Sequence, residues 1–124
     1  MRFHEVDIAA LEFNPFEQIS RQWMLITAGD EEKSNTMTAS WGGVGILWGK
    51  PVATVYIRPQ RYTKEFVDQN EYFTISFLPE EYRKALSVCG SVSREKNVPD
   101  LSLLSRHCRQ RRSEAGCYGK WTTV

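Results

Sequence analysis

The block Asn35-Thr36-Met37-Thr38-Ala39-Ser40-Trp41-Gly42-Gly43, followed after a strand-like run by Arg58-Pro59-Gln60-Arg61-Tyr62-Thr63, decides the reading of this chain. The first block is rich in small hydroxyl residues, beside which a planar ligand can approach the backbone. The second sets two guanidinium groups next to an expected helix start. Arg58, Arg61, the Thr63 hydroxyl and the first amides of that helix are able to converge on one phosphate dianion, which the planar arginine fork grips with parallel hydrogen bonds. Asn35, Thr36, Thr38 and Ser40 offer donors and acceptors to the edge of a heteroaromatic ring, with Trp41 as a stacking surface or wall. A plainer account also stands for each block: a solvated turn around Pro59, and a threonine-rich strand with a core tryptophan.

Working outward, Gly42, Gly43, Gly45 and Gly49 are expected to break regular structure. Pro51 then opens a run in which Val52, Thr54 and Tyr56 alternate with Ala53, Val55 and Ile57, a strand expected to be covered on both faces. Upstream, Asn14-Pro15-Phe16-Glu17 has the order of a helix N-cap, first-turn proline and acid. That helix should end near Arg21. Gln22 to Ala28 reads as a strand with Trp23, Leu25 and Thr27 on one face and Met24 and Ile26 on the other, closed by a polar turn from Gly29 to Lys33. Downstream, Thr63 caps a helix that ends at Asn70, and Tyr72 to Phe77 is a strand. Pro79 opens a second helix in which Tyr82, Ala85, Leu86 and Cys89 recur at helical spacing until Gly90 stops it. Strands divided by glycine-rich turns, with two short helices inserted, predict a small antiparallel β-barrel with peripheral helices. No glycine fingerprint of the dinucleotide type supports a doubly wound sheet.

A chain of 124 residues makes one domain, so a cleft with two walls calls for two chains. Formal net charge +1, a charged fraction of 25% and a hydrophobic fraction of 41% supply no field that favours nucleic acid or membrane. The first eleven residues hold acids and no signal-like apolar segment, which makes a cytoplasmic location the default. Cys89, Cys108 and Cys117 match no zinc spacing and are read as reduced thiols, Cys89 as a small buried hydrophobe. His4 and His107 have no catalytic or metal partners in the sequence, and no triad order or paired carboxylates stand out. No catalytic side chain and no metal ligand is assigned; if the chain is an enzyme, a cofactor does its chemistry.

The blocks at 14–16, 22–29, 35–43, 50–53, 56–63, 72–77 and 84–91, in that order, resemble the flavin reductase family with the FMN-binding split-barrel fold, in its flavoredoxin-like branch. The resemblance covers roughly residues 10 to 104. It implies a homodimer with FMN near the subunit interface. Thr38, Ala39, Ser40 and Trp41 would border the isoalloxazine, Arg58, Pro59, Gln60, Arg61, Tyr62 and Thr63 would hold the ribityl phosphate region, and Cys89, Gly90 and Ser91 would lie close by. The chemistry implied is hydride acceptance at flavin N5 from NADH or NADPH, followed by delivery to a second flavin or a redox protein partner.

The chain departs from the family after Leu104. The domain is expected over residues 1–104, and residues 105–124 form an atypical basic tail whose run Arg106 to Arg112 lacks apolar periodicity. A reading-frame change and a truncated gene product both account for it. Either would leave the split barrel incomplete at its C-terminal end, with unpaired strand edges. Beside a flavin reductase, the same blocks suit a non-enzymatic FMN-binding electron carrier or an inactive remnant.

Overall fold

Alternation along β1 (Met24–Gly29) fixes the architecture. The computed structural model describes residues 6–30 and 32–91. β1 is the central strand of an antiparallel sheet, flanked by β2 (Ser34–Ala39) and β5 (Phe73–Ser76), with Leu25 opposite both Thr38 and Ser76. Met24 and Ile26 pack with Ile19, Met37 and Ala39 on one face, while Leu25 packs with Leu78, Leu86 and Cys89 on the other. Two residues per side-chain repeat thus divide the core into two layers, as the sequence reading expected.

Helices cover both layers. The first helix begins where expected: α1 (Pro15–Glu17) has Asn14 as its cap, the side-chain Oδ1 accepting from the amides of Phe16 and Glu17, and a π-turn continues it to Gln22. α2 (Tyr62–Gln69) lays Phe66 and Val67 against Ala28. α3 (Arg83–Ser91), entered through Pro79 and a 3-10 turn over Glu80–Tyr82, brings Leu86 and Cys89 to the Leu25 face. Gly90 does not stop α3, since the helix includes it and Ser91. Asn70 ends α2 without a left-handed residue: its φ is −119°, and its side-chain amide donates to the Phe66 carbonyl at 2.7 Å.

The turn between β1 and β2 needs a glycine. Gly29 has φ +136°, and a Cβ there would sit 2.3 Å from the Lys33 carbonyl oxygen. Asp30 closes the turn, its carboxylate accepting from the amides of Glu32 and Lys33.

The other glycines behave differently from expectation. Gly42, Gly43 and Gly45 lie within β3 (Gly42–Leu47), which pairs with β4 (Lys50–Val55) in a two-stranded hairpin. A Cβ on Gly42 would meet the Thr54 carbonyl oxygen at 2.3 Å, so glycine there admits a close strand approach rather than ending the strand. Only Gly49 turns the chain: Trp48 and Gly49, at φ 51° and 71°, form a two-residue hairpin turn of the mirror-image type that matches strand twist. β4 is not covered on both faces either. Among the described residues only β3 pairs with it, which leaves Lys50, Pro51, Ala53 and Thr54 exposed, along with Ile46, Leu47 and a 90% exposed Trp48. No helix among the described residues is long and apolar enough to cross a membrane. The tail at 105–124, with Cys108, Cys117 and His107, and also His4, lies outside the described residues.

Candidate functional site

Among the described residues β2 is an edge strand, paired on one side by β1, so alternate backbone groups along its other side are free of β1. Its side chains reach both helices. Thr38 Oγ1 donates to the Leu86 carbonyl of α3 at 2.6 Å. On the opposite face, Thr63 Oγ1 of α2 donates to Asn35 Oδ1 at 2.6 Å. Arg61, just before α2, joins the two helices: its Nη1 donates to the Gly90 carbonyl at 2.8 Å and its Nη2 to the Cys89 carbonyl at 3.2 Å. These acceptors sit in the last described turn of α3. Segments 35–40, 58–63 and 86–91, far apart in sequence, thereby meet around one strand edge.

Between the end of β2 and α3 lies an open cleft of about 250 Å³. Of the residues anticipated from sequence, Thr38, Ala39, Ser40, Gly90 and Ser91 line it. Gly90 stands close to Thr38, where an added Cβ would be 3.6 Å from the threonine Cβ. Trp23, Leu86 and Ser87 line it too, and sequence reasoning passed over them as site residues. Trp23 has an unusual backbone, φ 68°, at the junction of the π-turn and β1, and the Arg83 guanidinium stacks over its ring at 3.5 Å. Arg83 Nη1 also donates to the Arg21 carbonyl, which holds the stack in place. A tryptophan opening the alternation of β1 on the Leu25 face was the available signal.

The remaining anticipated residues sit around the cleft or behind it. Asn35 and Thr36 project to opposite faces of β2, as strand geometry requires; Thr36 pairs with Thr27 at 2.9 Å between hydroxyls. Trp41 and Arg58 are exposed and stacked on each other at 5.8 Å, at the base of the hairpin, where the Tyr56 amide donates to the Trp41 carbonyl. Trp41 is therefore not a core residue. Pro59 and Gln60 are exposed in the turn that the Arg61 amide closes on the Arg58 carbonyl. Tyr62 packs edge-on against Phe66 at 5.2 Å.

Two local expectations need correction. Thr63 is not the helix cap: α2 starts two residues earlier than that cap implies, Arg61 is the cap position without a side-chain capping bond, and the Thr63 hydroxyl is turned inward to Asn35. Arg61 is not a solvated turn residue, because part of its fork is engaged by α3. Cys89 is buried as expected, and burial pushes its thiol pKa up more than the nearby Arg61 charge pulls it down. That basic neighbour was invisible in the sequence. No cluster of His, Cys, Asp or Glu able to hold a metal is found among the described residues.

The family model of the flavin reductase like domain matches residues 16–110, more than half of the chain. The chain belongs to the flavin reductase-like family. Neither a curated protein nor a solved structure matches it. The matched span contains every element from the second residue of α1 to the end of α3, so the flavin reductase-like domain includes both β2 and the segments gathered on it. A flavin-related function follows from that membership.

Proposed function

We propose that this flavin reductase-like chain is an FMN-binding oxidoreductase of the flavin reductase type, built on a split β-barrel. The observation that carries the reading is the convergence of three distant segments around β2 through the Thr38, Thr63 and Arg61 hydrogen bonds. The donor set suits a flavin phosphate: the exposed Arg58 guanidinium and the first amides of α2 are together a charged fork beside a helix start. Thr38, Ser40, Trp23 and the backbone around Gly90 would border the ring. When bound, FMN supplies a hydride acceptor between a reduced nicotinamide, NADH or NADPH, and a second flavin or a redox protein.

The protein's own work in this reading is to hold and shield. Leu86 and the aliphatic side of α3 exclude water, Thr38 and Ser40 orient the ring edge, and Arg58 with α2 fixes the phosphate. The cleft of about 250 Å³ is smaller than the roughly 300–1,000 Å³ of ordinary ligand pockets. A second copy would complete it, and the exposed apolar hairpin with Ile46, Leu47 and Trp48 supports a homodimer.

The test is a titration of purified protein with FMN and riboflavin, followed by NADH and NADPH oxidation with and without added FMN. A yellow complex that prefers FMN and turns over nicotinamide is expected. Binding without turnover would leave an electron carrier, and no flavin binding would sink the reading. Sedimentation with FMN present should show a dimer at micromolar concentration; a monomer there refutes the assembly.

A further inference from the structure

We infer that Arg61 is a positioning residue that locks α3 beside β2, rather than a ligand of the flavin phosphate. For its functional consequence this rests on the flavin reading. Its structural half stands without it. Two of the guanidinium's terminal nitrogens already donate to carbonyls of one helix turn, at 2.8 Å to Gly90 and 3.2 Å to Cys89. Both are hydrogen bonds from a charged donor to main-chain carbonyls, a stronger kind than those between neutral groups. Rotating it toward a phosphate would break both bonds and unpin the stretch of α3 that walls the cleft.

Arg58 presents the contrasting case. Arg58 is exposed, with its guanidinium over the Trp41 ring, which leaves it available to an anion. Pro59 and the turn closed from the Arg61 amide to the Arg58 carbonyl keep the two arginines on separate tasks. The lock sets the spacing between Gly90 and Thr38, and through it the width of the slot into which a planar ring would enter.

A phosphate ligand and a lock respond differently to removal. A lost phosphate contact weakens FMN and leaves riboflavin, which has no phosphate, unchanged; a lost lock widens the slot for both. The experiment compares the full-length protein with Arg61→Ala and Arg61→Lys, titrated with FMN and with riboflavin. Both variants are expected to lose about tenfold in affinity for each flavin, with the FMN-to-riboflavin ratio within twofold of the parent, because a lysine cannot span two carbonyls as a fork does. Selective loss of FMN in Arg61→Ala, with recovery in Arg61→Lys, would overturn the assignment. Alkylation by iodoacetamide, read by mass spectrometry on the Cys89 peptide, supplies a readout without flavin. Release of the α3 end should raise the Cys89 rate several-fold in both variants relative to the parent, as it removes protection from a buried thiol. An unchanged rate in Arg61→Lys overturns the lock even if Arg61→Ala does not fold. If the parent binds neither flavin, the flavin reading fails, and the alkylation rates still decide the lock.

Discussion

Thr63→Val tests the packing of α2 on β2 most directly. Thr63 is 1% exposed, and its hydroxyl donates to the half-buried Asn35 amide oxygen at 2.6 Å. Valine keeps the shape and removes the hydrogen bond. The net worth of such a bond is about 0.5–1.5 kcal/mol, and an acceptor stranded away from water adds about 1–3 kcal/mol. Water reaches part of Asn35, so the expected loss is about 1–2 kcal/mol, a downward shift of roughly 0.5–1 M in the urea midpoint for an ordinary slope. Thr63→Ser gives the control, since it keeps the hydroxyl and loses only a methyl. The cycle through Asn35→Ala isolates the pair: the double variant should be more stable than the sum of the singles predicts by about 1 kcal/mol. Additive losses, within about 0.3 kcal/mol, would show that the two side chains do not interact and that α2 is held to the sheet by other contacts, such as those of Phe66 and Val67 with Ala28 of β1.

Other outcomes follow from the same contacts. Arg58→Ala should cut the preference for FMN over riboflavin about tenfold, whereas Lys64→Ala should leave it unchanged, since Lys64 forms an i,i+4 pair with Asp68; fluorescence titration distinguishes them, and equal small effects would remove Arg58 from the phosphate site. Gly90→Ala should stabilise the fold by about 0.5–1 kcal/mol, because the methyl would meet Thr38 only at van der Waals distance within a helix. It should also weaken flavin binding by filling the cleft, and tighter binding in titration would refute the location. The raised Cys89 pKa means that folding favours the neutral thiol. Its contribution is present below the ordinary thiol pKa of about 8.5 and fades as pH rises through the higher folded value. Urea denaturation at pH 8 and above should accordingly show a steeper alkaline fall for the parent than for Cys89→Ala. Trp48→Asn relieves the positive φ at the turn but removes apolar surface from the hairpin, so sedimentation at micromolar concentration with FMN should show more monomer than the parent; an unchanged dimer would take the indole out of the interface.

Much of the sheet could be read from the chain because its cause is local. From Trp23 to Ala28 every residue is apolar or threonine, and a strand covered on both faces has few other ways to satisfy that pattern. The cap at Asn14 was legible for the same reason, as its partners are two and three residues away. The hairpin was not. Glycines at 42, 43 and 45 look like breaks until Thr54 is known to lie opposite Gly43 and against Gly42, and register is a property of the pair. The partners of Arg61 could not be read, because its acceptors lie 28 and 29 residues downstream on another helix. A two-residue shift at the start of α2 was enough to turn the Thr63 hydroxyl from cap to core.

The links from Asn35 to Thr63, from Arg61 to Cys89 and Gly90, and from Leu86 back to Thr38 form a closed circuit through β2, α2 and α3. Its members sit on opposite faces of one sheet, so no single packed layer explains their joint fate. Opening any link frees its neighbours, which makes the circuit one cooperative unit for native-state hydrogen exchange. Amides in α2 and in the last turn of α3 should therefore share an opening free energy, and cutting either the Thr63 or the Thr38 link should lower protection in both helices together.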